Sequence, residues 1–300
     1  MRMIAIALSS VLSLPVLTAH PAAAPQEGSA ADVLEAARAA LGAEALAAVE
    51  SLSATGEYRR LMGQREISGD ATIELILPDK LRRTEEAGIP GGPRFSRVTV
   101  LSGNDVWTDA TTRGSGRGIM RFAGPGGPGT GGREMSEEDR TRMRQAQLQR
   151  MKAELARYRL ALLLRPDAEL KHVATAEAED GTADVLEMTD ASGRPVRLFV
   201  DRASHLPLML TFEAPMPRMF VARGGQRPSP EEIERMRREP PQTAAFELRF
   251  DEYREVKGVL LPHLIIQSAN GNVNEEWTIE EYTLNPSLKP ELFEKMPSSN

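Results

Sequence analysis

Four stretches of this chain are apolar on both faces of an extended strand: IELILP (73–78), LFVD (198–201), HLPLMLTF (205–212) and VLLPHLII (259–266). Successive strand residues point to opposite sides, so a sheet wetted on one side alternates apolar with polar. Strands apolar on both sides need cover on both: helices packed on one, and a cavity or second layer on the other. Any fold for this chain has to supply that double cover.

The remaining strand signals are SLSATGEYRRLMG, REISGDATIELILPDKLRRTEE and RFSRVTVLSGNDVWTDA, then KHVATAE, ADVLEMTD and RPVRLFVD, and finally AFELRFDEYREV and NVNEEWTIEEYTL. Turn chemistry separates them at Gly103-Asn104-Asp105, Asp190-Ala191-Ser192-Gly193, Lys257-Gly258 and Asn270-Gly271. This order is an antiparallel meander rather than a strand–helix alternation. Two helices are available as cover. Ser29 with Asp32 forms a capping box for one that Gly42 breaks or bends. Ser136 with Asp139 caps a second, charged in its first half and leucine-rich in its second, which Pro166 closes. The predicted class is mainly β (α+β): one strongly curved antiparallel sheet, an unclosed half-barrel wrapped around helices.

Two insertions interrupt the pattern, at 112–135 and 214–242. Residues 114–132 hold nine glycines in nineteen positions and no GK[ST], which predicts a loop without a phosphate-cradling role. The second is rich in Pro, Met and Arg, with a helix-like patch from Ser229 to Arg238.

Arg2, the apolar run Met3–Leu17 and the small residues that follow describe a secretory signal, assigned to residues 1–24, with a single domain over 25–300. No later stretch is apolar enough to cross a bilayer, and the periplasm is the expected compartment. Net charge is −6, which gives no basic field for nucleic acid, and the absence of cysteine excludes disulfides, thiolate metal sites and a cysteine nucleophile.

Candidate chemistry is sparse. His20, His172, His205 and His263 make no metal-ligand spacing and read as turn or edge residues. There is no GxSxG or SxxK motif. The doublets Glu85-Glu86, Glu275-Glu276 and Glu280-Glu281 read as solvated strand faces, because neighbours on a strand diverge. Arg59-Arg60, Arg82-Arg83, Arg97 and Arg113 are open to two readings: some share one face and place cations at the rim of a cavity, or all are ordinary surface arginines paired with the abundant glutamates. No enzyme, metal or cofactor is expected.

Short motifs occur in a familiar order: Leu52-Ser53-Ala54-Thr55-Gly56, Leu77-Pro78-Asp79-Lys80-Leu81-Arg82, Gly103-Asn104-Asp105-Val106-Trp107, Leu198-Phe199-Val200-Asp201 leading to Leu206-Pro207-Leu208, Gly258-Val259-Leu260-Leu261-Pro262, and Asn285-Pro286 before Leu292-Phe293. In these the chain resembles the periplasmic outer-membrane lipoprotein-sorting carriers (the LolA-like fold), as a divergent member with two long insertions. The resemblance implies an unclosed curved sheet around helices and an apolar hollow that shields acyl chains.

The expected function is a carrier or sensor for an apolar ligand, whether acyl chain, lipid or acylated protein; the alternative is an envelope interaction module that binds a partner protein. The candidate lining is Leu75, Leu77, Trp107, Phe199, Leu208, Leu210, Phe212, Leu261 and Trp277, with Met216, Met219 and Phe220 as a lid. N-terminal sequencing of exported material is expected to start after Ala19 or Ala24. A start at Met1 would refute the signal assignment.

Overall fold

The computed structural model describes residues 28–62, 65–88, 94–113, 119–123, 136–179, 181–216 and 242–294. The expected signal, Met219, Phe220 and the helix-like patch 229–238 lie outside the described residues. Helices α1 (Ala30–Leu41) and α2 (Ala43–Ala47) come first. Six strands follow: β1 (Ser51–Met62), β2 (Arg65–Ile76), β3 (Lys80–Gly88), β4 (Arg94–Ser102), β5 (Asp105–Arg113) and β6 (Ile119–Ala123). Then come helix α3 (Glu137–Leu163) and β7 (Lys171–Ala178), β8 (Gly181–Thr189), β9 (Pro195–Asp201), β10 (Pro207–Pro215), β11 (Thr243–Val256), β12 (Val259–Ala269) and β13 (Asn272–Leu284).

The caps are those the sequence specifies. Ser29 Oγ accepts from the Asp32 amide while the Asp32 carboxylate accepts from the Ser29 amide, and Gly42, with φ 116°, ends α1 and opens α2. Ser136 caps α3 by accepting from the Asp139 amide. Lys257-Gly258 and Asn270-Gly271 both adopt positive φ, as two-residue hairpins require.

All thirteen strands form one antiparallel sheet in the order β6-β5-β4-β3-β2-β1-β13-β12-β11-β10-β9-β8-β7. It is two meanders joined at their innermost strands, β1 against β13. Helix α3 connects β6 at one edge to β7 at the other, so it has to cross a face of the sheet. Glu154 of α3 bonds Arg83 of β3, while Arg157, one turn later, lies over Phe212 of β10. Strands β3 and β10 are six places apart, about 29 Å in a flat sheet at ~4.8 Å per strand. A helix is only about 10–12 Å across. The sheet therefore wraps around α3. Breaks in register at Thr55/Gly56, Gln267/Ser268, Pro207/Met209 and His172/Ala174 contribute, since bulges bend and twist the strands that carry them.

The concave face holds the core. Leu52, Ala54 and Tyr58 of β1, Ile73 and Leu75 of β2, Leu81 of β3 and Leu101 of β4 alternate inward onto Leu155, Leu160 and Leu163 of α3 and Leu41 and Leu46 of α1 and α2. On the convex face, cover is local: a 3₁₀ turn, Pro290–Phe293, lies against β3 and β4. The glycine-rich stretch read as loop contains β6, whose IMRFA pairs with β5 between glycine runs. Five non-glycine residues were enough for a strand once β5 offered an edge.

A Cβ at Gly56 would lie 2.0 Å from the Thr278 carbonyl oxygen on β13. Gly56→Ala is therefore expected to widen the central β1–β13 ladder and cost about 1–3 kcal/mol in denaturant unfolding. Unchanged stability would show that the bulge absorbs a methyl group.

Candidate binding site on the concave face

The concave face is divided between charge and apolar surface. Near the free ends of β1, β3 and β13, alternation that buries leucines lower down turns Arg60, Arg83, Glu85 and Glu275 inward. Arg60 bonds Glu85 at 2.9 Å and Glu275 at 2.8 Å. Arg83 reaches Glu85 at 2.9 Å, Glu275 at 3.0 Å and Glu154 of α3 at 3.1 Å. Burial alone would raise the Glu85 carboxyl, but the guanidiniums of Arg83 and Arg60 outweigh it and hold it at about 2. Glu275 is lowered for the same reason. Beside them the Tyr58 hydroxyl is pushed up to about 12 by burial and the Glu85 charge.

Arg60 and Arg83 thus do share the inner face, yet they are neutralised by glutamates, while Arg59 and Arg82 point to the other face. The glutamate doublets are corrected in half: Glu85 is buried and Glu275 half-buried on the inner face, while Glu276 stays on the convex side with Arg59. Each doublet diverges as strand geometry demands, and the inward member found a cation. His263 is also corrected. It is a buried residue of β12 whose Nδ1–H donates to the Ile279 carbonyl at 2.7 Å, with its ring edge-on to Tyr282. His205, with φ 59°, occupies a turn as expected.

The apolar part lies under the other side of α3, on β10 and β11. Register places Leu210 opposite Leu248, Phe212 opposite Phe246 and Ala214 opposite Ala244 on the inner face. The two phenyl rings stack with centroids 5.3 Å apart. Exposure rises along this strip: Leu210 is 0%, Phe212 7%, Ala214 half-buried and Met216 38%. Above it the Arg157 guanidinium lies 4.0 Å from the Phe212 ring centroid. Among the described residues it has no ion pair or hydrogen bond. The carboxylates whose fields reach it are engaged elsewhere, Glu154 with Arg83 and Asp190 with the Ser192 and Arg194 amides. Burial lowers its affinity for its proton.

The twelve residues expected to line a hollow fall into several places. Leu75, Leu210 and Leu261 are fully buried in the core beneath the helices, and Phe212 and Trp277 are inward and nearly buried. Leu77 borders a separate cavity of about 670 Å³ at the opposite end, with Arg159, Arg165 and Pro286. Trp107 and Phe199 are corrected: pairing with Val100 and Val185 puts them on the convex face. Leu208 is 42% exposed and outside the strip. Of the ten described residues of the set, Leu210, Phe212 and Met216 come together there. Sequence reasoning missed Arg157, Ala214, Ala244 and Phe246. The alternation in TAAFELRF carried a signal for Phe246, and Arg157 stood out as a charge in the leucine-rich half of α3.

No family model matches the chain, and no curated protein matches it. Solved structures do. The chain is similar to a LolA superfamily protein from Nitrosomonas europaea at 14% identity, over 90% of this chain and 99% of that one, with a TM-score of 0.42. It is similar to a putative outer membrane lipoprotein-sorting protein domain from Vibrio parahaemolyticus at 13% identity, over 87% and 94%, TM-score 0.42. A DUF1329 family protein from Desulfovibrio piger matches at 8% identity, over 88% and 96%, TM-score 0.44. The likeness is one of fold alone. Among the described residues no helix is long and apolar enough to cross a membrane, and no group of three His, Asp or Glu is placed to hold a metal ion.

The ionic cluster makes acid sensitivity predictable. With Glu85 held at about 2 against an ordinary 4.5, its contribution is full above pH 4.5 and is lost as pH falls toward 2. Glu85→Gln is expected to cost about 1–3 kcal/mol at neutral pH, by removing the charge-assisted bonds to Arg60 and Arg83, which keep Glu275 and Glu154. It should also flatten the fall in melting temperature between pH 4.5 and 2. An acid limb as steep as that of the wild type would place the titrating group elsewhere.

Proposed function

We propose that this chain is an exported, non-enzymatic carrier or sensor of the periplasm that takes an apolar chain between α3 and the β10–β11 arm of its sheet. The acyl chain of a lipid or of an acylated protein fits this role. One observation carries the reading: the apolar strip on β10 runs without interruption from the core at Leu210 to solvent at Met216. Core strands in a closed protein end on polar residues; here the apolar face continues to the lip. The small side chains of Ala214 and Ala244, set opposite each other, keep the outer part of the strip shallow.

Burial supplies the affinity, at about 0.8 kcal/mol for each methylene taken from water. The signal-like N-terminus supports export, and nothing in the site calls for a bond to be made or broken. The ligand does not displace Leu75 or Leu261, which belong to the core that holds the helices.

An environment-sensitive apolar dye is expected to bind the mature protein with a negative heat-capacity change. Ala214→Glu is expected to abolish that binding while leaving the far-ultraviolet circular dichroism intact. If no apolar probe binds the intact protein, the carrier reading fails.

A further inference from the structure

We propose that the ligand is an anionic amphiphile whose head is held by Arg157 while its chain lies along the Phe212–Phe246 stack. This rests on the carrier reading above and specifies the ligand's polar end. The structure treats its interior arginines unequally. Arg60 has two carboxylates and Arg83 three, all within 3.1 Å. Arg157 has neither ion pair nor hydrogen bond among the described residues, although it lies in the same concave space between helix and sheet.

A cation taken from water without a counter-ion is costly, and the Phe212 face offsets only part of that cost. The local acids do not help, since Glu154 is drawn toward Arg83 and Asp190 caps its own turn. The guanidinium sits over the Phe212 face, and among the described residues none of its N–H groups has a partner. A guanidinium offers those groups in the fork geometry that suits a carboxylate or a phosphate. Directly below it begins the strip that leads along β10 to Met216, just past the strand's end and four residues from Phe212, about 13 Å at ~3.3 Å per residue. A cation at one end of an apolar strip matches a molecule with an anion at one end of an apolar chain. A small free anion would gain the first contact and forgo the second.

The test compares heads on one chain length, below micelle-forming concentrations, by calorimetry at pH 8. Palmitate and hexadecyl phosphate are expected to bind the wild type at least about tenfold more tightly than hexadecanol. In Arg157→Gln the two anions should fall to the level of hexadecanol, whose own binding is unchanged. Arg157→Lys should restore part of the preference. Equal binding of all three amphiphiles to the wild type overturns the anion site and leaves the carrier reading standing. Binding of none overturns both. Acetate or inorganic phosphate competing as well as palmitate would make this a small-anion site and overturn the amphiphile. The head-group contrast is read on the wild-type chain, so a variant that fails to fold does not leave it undecided.

Discussion

The contact on which this architecture turns is Arg83. From the third strand it reaches Glu85 on its own strand, Glu275 on β13 and Glu154 on α3, and so fixes the long helix to the middle of the sheet. A leucine in its place would stabilise the core but would let the helix rotate and slide, since apolar contacts carry little direction. Buried ion pairs repay their desolvation only in good geometry, which is why they specify one arrangement. Glu154 is held toward β3, and Arg157, one turn further along α3, lies over Phe212 of β10.

Much of the fold was legible in the sequence because its signals are local. Ser29 with Asp32, Ser136 with Asp139, and the Lys257-Gly258 and Asn270-Gly271 turns act within a few residues, and each formed as its chemistry demands. The apolar pairs in IELILP and VLLPHLII required cover, and α1, α2 and α3 provide it on the concave side. Faces were harder. Trp107 and Leu208 sit in apolar company along the chain, yet their sides are set by register against β4 and β9, which neighbouring letters do not encode. Which arginines and glutamates form the ionic cluster, and that it is turned inward, was illegible for a related reason. Its members come from β1, β3, β13 and α3, and only the wrapping of the sheet brings them together.

That wrapping yields two unlike half-sites around one helix. On the β1–β3 side Arg60 and Arg83 are matched by carboxylates, and salt bridges fill the space. On the β10–β11 side the surface is aromatic and aliphatic, Arg157 is unmatched among the described residues, and Met216 at the end of the apolar strip is 38% exposed. The first half-site holds the molecule together, and the second is the one proposed above to take a ligand. A single helix serves both because the sheet wraps around it: Glu154 reaches β3 and Arg157 lies over β10.

The joining of β1 to β13 at the centre of the sheet has a further consequence. Leu52 pairs with Leu284, so the seam between the two meanders is closed by strands from far ends of the chain. Contacts of such long sequence separation form late and slowly. As the chain emerges from its N-terminus, β1 has β2 on one side and nothing on the other. It stays an open twelve-residue edge until the last strand arrives. Through that interval the nascent protein offers a vacant place for a strand, and any chaperone that guards it, or any stray strand that invades it, competes with the protein's own final segment.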